Sequence, residues 1–104
     1  MEKMQKFIHA IQEKRIVKVK VDTREKGIIE RRCIPFDYGP SSKSKEKSDK
    51  YHLFTLDSPG DSHVLSILPI QLLSIELENE NFNPGDYISW KTNWHIERDW
   101  GEYS

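Results

Sequence analysis

The first fourteen residues carry apolar side chains with the period of a helix. Met4, Phe7, Ile8 and Ile11 fall at positions i, i+3, i+4 and i+7, a spacing that places side chains on one stripe. Lysine and glutamate occupy several of the remaining positions. We therefore predict an amphipathic helix over residues 2–14, with one side covering a core.

From residue 16 onward the period changes to two. Val17, Val19 and Val21 alternate with charged residues, which is typical of a strand with one buried face. Four further strands are predicted at hairpin spacing, over residues 28–36, 51–57, 63–68 and 74–80. We expect Pro35 at the end of its strand, because proline has no N–H to donate to a neighbouring strand.

The segment between the second and third predicted strands differs from the rest of the chain. Residues 39–50 contain four lysines and four serines but no large apolar side chain. Such a segment buries nothing that would offset the entropy lost on ordering. We predict a mobile loop over residues 39–50.

One helix followed by five short strands predicts a mostly β domain with a small, strongly bent antiparallel sheet. Sheets of this kind commonly remove their edges by curling, so we predict an SH3-like or Sm-like barrel. An α+β sandwich is the alternative. The length of 104 residues supports a single domain over residues 1–104, with residues 86–104 as a C-terminal extension.

The composition narrows the class of protein. Hydrophobic residues make up 36% and charged residues 32%, and a single cysteine excludes a disulfide framework. No apolar run approaches the ~20 residues of a membrane helix, and no signal-peptide pattern is present. We expect a soluble, cytoplasmic protein without a membrane partner.

Charge is unevenly distributed along the chain. Residues 1–52 hold 14 Lys and Arg against 8 Asp and Glu, whereas residues 53–104 hold 2 against 9. The two balances of +6 and −7 sum to the net charge of −1. The excess can provide a basic face for nucleic acid, or the halves can interleave and neutralise each other.

Four short segments in order resemble a WYL domain, the Sm-like module of many bacterial and phage transcription regulators. They cover residues 7–15, 32–39, 51–53 and 67–75. Tyr51, His52 and Leu53 stand where that family carries Trp, Tyr and Leu, and residues 63–69 lack its usual arginines. The resemblance implies a barrel that senses nucleic acid or nucleotide-like ligands through basic side chains, in transcription regulation.

Candidate ligand-binding residues lie on the predicted strands. Arginine and lysine bind phosphate, and aromatic rings form platforms for bases. Neighbouring residues of a strand face opposite ways, so Arg31 and Arg32 belong to different surfaces. The alternative is that the arginines pair with carboxylates and the tyrosine is half-buried. The candidates are Arg31, Arg32, Lys18, Lys20, Tyr51 and His52.

The C-terminal extension concentrates the tryptophans. Trp90, Trp94 and Trp100 all fall within the last fifteen residues. Because tryptophan is enriched at binding hot spots, we predict an interface with a second copy or another protein. The alternative is that these side chains close the open end of the barrel.

Nothing in the sequence indicates catalysis. The nucleotide-binding, hydrolase and metalloprotease motifs are absent, and the four histidines lie on separate predicted elements. Cys33 reads as an inert small hydrophobe, and Glu76, Glu78 and Glu80 as the protected edge of a sheet. We predict no metal site and no cofactor.

These observations together predict a non-enzymatic, WYL-like binding or regulatory module. Its ligand is expected to be a nucleic acid or nucleotide-like anion. The alternative is a protein-interaction or self-assembly module that acts through the aromatic tail.

Overall fold

A computed structural model, which describes residues 2–40, 48–57 and 64–104, contains one helix and one five-stranded antiparallel sheet. The mostly β fold with one N-terminal helix is therefore confirmed. Within the described ranges the elements are α1 (Lys3–Glu13), β1 (Arg15–Asp22), β2 (Ile28–Pro40), β3 (Asp49–Thr55), β4 (Val64–Ile67) and β5 (Leu72–Asn81).

The strands lie in the order β4-β3-β2-β1-β5. The first four strands follow one another as antiparallel neighbours, and β5 returns to pair with β1. A 3-10 turn over Pro69–Gln71 joins the two edge strands, β4 and β5. No pairing between β4 and β5 occurs in the described sheet, so closure into a barrel stays a prediction.

Strand β2 is longer than its sequence predicts. We expected it to end with Pro35 and Phe36, but it continues to Pro40 as a 13-residue central strand. Its first part pairs with β1 and its second part with β3, and the register shifts between Pro35 and Asp37. The irregularity tolerates proline because an extra residue in a strand locally interrupts the ladder.

The predicted loop over residues 39–50 is also shorter than expected at both ends. Gly39 and Pro40 belong to β2, where they pair with Lys50 and Asp49 of β3. Residues 41–47 lie outside the described part of the chain, as do residues 58–63, which include the start of the predicted fourth strand.

Helix α1 packs its apolar stripe on the sheet as predicted. Phe7, Ala10 and Ile11 are buried, and the Phe7 ring lies 4.8 Å from that of Tyr51 on β3. The Nζ atoms of Lys3 and Lys6 donate to the carbonyls of Leu72 (2.6 Å) and Ile75 (3.3 Å) on β5. The helix thus covers one face of the sheet and protects the β5 edge.

Both faces of the central strand β2 are buried over residues 33–37. Cys33 and Ile34 are neighbours that point to opposite faces, yet both are fully buried. The face shared by Ile34 and its partner Phe54 is covered by the C-terminal tail (residues 86–104), because the ring of Tyr87 lies 5.5 Å from that of Phe54. Tyr87 therefore packs on the face of the sheet opposite α1, whereas Trp100, near the end of the tail, reaches α1 itself.

Because the Cys33 thiol is buried, we expect it to react slowly in the folded chain. Burial, with a smaller contribution from Asp57, raises its pKa from 9.0 to about 12. Because the folded-state pKa is raised, the contribution of this group to stability is present below pH 9 and lost as the pH rises towards 12. At pH 8 we expect iodoacetamide to label Cys33 only as fast as the chain unfolds. Labelling of the folded chain at the rate of a free thiol would contradict this.

Candidate functional site

Two of the predicted ligand-binding residues, Arg32 and Lys18, are paired with carboxylates. The Nε atom of Arg32 lies 3.0 and 3.1 Å from the carboxylate oxygens of Glu78, and its Nη2 lies 3.1 Å from Glu80. The Nζ atom of Lys18 lies 2.9 Å from Glu30. These hydrogen bonds favour the charged forms and raise the pKa of Arg32 and of Lys18.

Lys20 lies on the same face of β1 as Lys18. It is exposed and stands in register with Glu30 on β2 and Ser74 on β5. Its ammonium makes no ion pair with any described residue. The neighbouring glutamate reduces the positive potential that Lys20 presents to a ligand.

Arg31 faces the opposite side from Arg32 and has different surroundings. It stands in register with the buried Val19, and its Nη1 donates to the Glu30 carbonyl at 2.8 Å. No described carboxylate pairs with it, and its buried Nε has no hydrogen-bond partner. The charge of Arg31 is therefore not neutralised by an ion pair with any described residue.

Tyr51 and His52 serve the packing of β3. Tyr51 is 3% exposed and packs between Phe7 and Tyr38. The Nε2 atom of His52 lies 2.9 Å from the Gly39 carbonyl and its Nδ1 lies 2.8 Å from the Ser66 hydroxyl. Because a carbonyl only accepts, Nε2 carries a proton, and in the neutral ring Nδ1 accepts from Ser66.

The six predicted residues therefore do not converge on one surface. Arg31 lies on the face opposite Arg32, Lys18 and Lys20. Tyr51 and His52 stand in register with Tyr38 and Asp37, six or seven residues further along β2 than Arg31. At ~3.3 Å per residue this separation reaches about 20 Å along the strand.

Sequence reasoning missed the most buried charged group of the described chain, Arg98 in the tail. Its side chain is fully buried, and its guanidinium carbon lies 4.2 Å from the ring centroid of Trp94 and 4.4 Å from that of Trp100. Its Nη2 donates to Asp37 Oδ1 at 3.3 Å, and its Nη1 donates to the Phe36 carbonyl. Burial lowers the Arg98 pKa to about 10, while Asp37 opposes this shift. The group is therefore charged at neutral pH.

The carboxylate of Asp37 also holds the tail backbone. It accepts the N–H groups of His95 and Ile96, each at 2.9 Å. The sequence contains one signal of this arrangement, since only Lys91 and Arg98 are cationic in residues 53–104. A lone arginine among tryptophans in an acidic segment indicates a specific partner.

The three tryptophans have different roles. Trp100 is buried, and its indole N–H donates to the Ile11 carbonyl of α1 at 2.8 Å. The indole N–H of Trp94 donates to the Tyr103 carbonyl at 2.7 Å. Trp90 packs on Phe36 at 5.9 Å between ring centroids but stays 49% exposed. Of the predicted interface residues, Trp90 is thus the most accessible to a partner.

The described ranges hold neither a cluster of metal-ligating side chains nor a helix that could span a membrane. No three His, Cys, Asp or Glu side chains there are grouped to hold a metal ion. Likewise, none of the helices seen in those ranges is long and apolar enough to cross a membrane. No protein-family model, curated protein or solved structure matches the chain.

The hydrogen bonds of His52 predict a structural role. We expect His52→Ala to lower the free energy of unfolding by about 1–3 kcal/mol, because it removes two hydrogen bonds worth about 0.5–1.5 kcal/mol each. Urea unfolding followed by circular dichroism measures the change. Lys50→Ala, a substitution two residues away on the same strand, is the control and should have little effect. A His52→Ala variant as stable as the parent would contradict the structural role.

Proposed function

We propose that the chain is a non-enzymatic binding module of the WYL-like kind, which takes a phosphate-bearing ligand at Arg31. The observation that carries the proposal is the state of the Arg31 guanidinium. It has no carboxylate partner among the described residues, and its Nη1 donates only to the Glu30 carbonyl, a neutral group. Phosphate oxygens supply the acceptors that the planar fork of arginine donors fits.

Arg32, the next residue of the same strand, is less available to a ligand than Arg31. Arg32 is already bonded to Glu78 and Glu80, so a ligand would have to displace two carboxylates to reach it. Arg31 requires no such displacement. The proposal therefore assigns ligand binding to Arg31 and a packing role to Arg32.

Free cations at the same end of the sheet support an anionic ligand. Arg24 and Lys26 lie in the turn between β1 and β2, are exposed, and form no ion pair with the rest of the described chain. Glu25 lies between them and is exposed too, so this turn offers cationic donors but little net positive charge. Asp57 lies at this end too, where its Oδ1 accepts the backbone N–H of Arg32 at 2.9 Å. We therefore expect modest affinity that depends strongly on salt.

The proposed ligand class is nucleic acid or a nucleotide-like anion, as the resemblance to WYL domains implies. A cytoplasmic location and a role in transcription regulation belong to the same proposal. No catalytic group is needed, because the site supplies hydrogen-bond donors and charge only.

Fluorescence polarisation of a labelled, 5′-phosphorylated single-stranded oligonucleotide tests the proposal. The parent chain should bind, and binding should weaken steeply between about 50 and 200 mM salt. Arg31→Gln should weaken binding about tenfold or more, because it removes a charged hydrogen-bonding fork. Arg32→Gln is the matched control and should bind within about twofold of the parent. Circular dichroism should show that both variants are folded.

Two results would contradict this assignment. Equal losses in the two variants would mean that Arg31 has no special role. No binding by the parent at low salt would remove the anion-binding function. The alternative function is then self-assembly through the tail. It requires that the chain sediments as an oligomer and that Trp90→Ala dissociates this oligomer, because Trp90 is the most exposed of the three tryptophans.

A further inference from the structure

The tail is attached to the sheet by side chains rather than by backbone pairing. Residues 88–100 have no regular secondary structure. Within the described ranges, no backbone–backbone hydrogen bond joins residues 88–104 to a strand. The tail can therefore leave without breaking the hydrogen-bond ladder of the sheet.

The polar attachments to the sheet are concentrated at one point of β2. Asp37 accepts from His95, Ile96 and Arg98, and the neighbouring Phe36 carbonyl accepts from Arg98 as well. Partial opening would separate two buried charges, which is strongly unfavourable. These attachments should therefore break together.

The face beneath the tail is apolar. Ile34 and Phe36 are buried there, Phe36 contacts Trp90 and Trp94, and Phe54 contacts Tyr87. On the other side of the sheet, α1 packs on Tyr51 through Phe7. All four strand pairings are formed without the tail. The tail reaches α1 through the hydrogen bond from the Trp100 indole N–H to the Ile11 carbonyl, which opening also breaks.

We propose that the tail is a latch that opens as one unit while α1 and the sheet stay folded. Opening uncovers the apolar face of β2 and β3, bordered by the Asp37 carboxylate. The closed state thus shields an apolar surface, and the Asp37–Arg98 pair controls its exposure. The proposal is independent of ligand binding at Arg31.

Native-state hydrogen exchange of the full chain, followed by NMR, tests the latch. The amides of His95 and Ile96 report on the tail, and those of β1 report on the sheet because β1 is paired on both sides. We expect the tail amides to exchange at least about tenfold faster than the slowest β1 amides, with a weaker dependence on denaturant. The same rate and the same denaturant dependence for both sets would overturn the proposal.

A variant pair tests control by the charge pair. Arg98→Met removes the cation but keeps an apolar side chain between the tryptophans. We expect it to speed exchange of the tail amides about tenfold or more and to increase binding of the dye ANS, while β1 stays protected. Glu97→Gln, at the exposed neighbouring position, is the matched control and should change neither readout. Equal loss of protection in the tail and in β1 would overturn the proposal. If Arg98→Met does not fold, the exchange rates of the parent chain decide.

Discussion

The pairing of Arg98 with Asp37 fixes how the last fifth of the chain meets the sheet. The guanidinium lies between Trp94 and Trp100, shielded from water, and a buried charge is tolerated only when it is paired and hydrogen-bonded. Asp37 supplies the opposite charge and also accepts two N–H groups of the tail. One carboxylate on β2 therefore sets both the charge balance and the path of the tail backbone.

The tail attaches to the irregular middle part of β2. Pro35 cannot donate, the register shifts before Asp37, and the Phe36 carbonyl accepts from Arg98. Further along, Gly39 allows the close approach of the tail. A Cβ atom at Gly39 would clash with the imidazole ring of His95, so a larger residue would displace the ring.

Local patterns predicted most of the secondary structure, but they carry no information on contacts between residues that are far apart in the sequence. The periods of residues 4–11 and 17–21 indicated α1 and β1 because each period reflects burial of one face. The predicted end of β2 was wrong. The expectation that proline ends a strand does not hold where the strand is irregular, as it is next to Pro35. Asp37 and Arg98 are 61 residues apart, and neither has a local signal that identifies its partner. Arg31 and Arg32 were both predicted to bind a ligand. Which of them forms an ion pair depends on the residues of the neighbouring strands, and these cannot be identified from the local sequence.

A double-mutant cycle measures the central interaction directly. Asp37→Asn, Arg98→Met and the double variant are compared through hydrogen exchange of the Trp100 indole N–H, which is bonded to α1 and to neither mutated residue. We expect the double variant to lose less opening free energy than the sum of the single losses, by about 1–3 kcal/mol. Additive losses, within about 0.5 kcal/mol, would contradict the view that this pair holds the tail on the sheet.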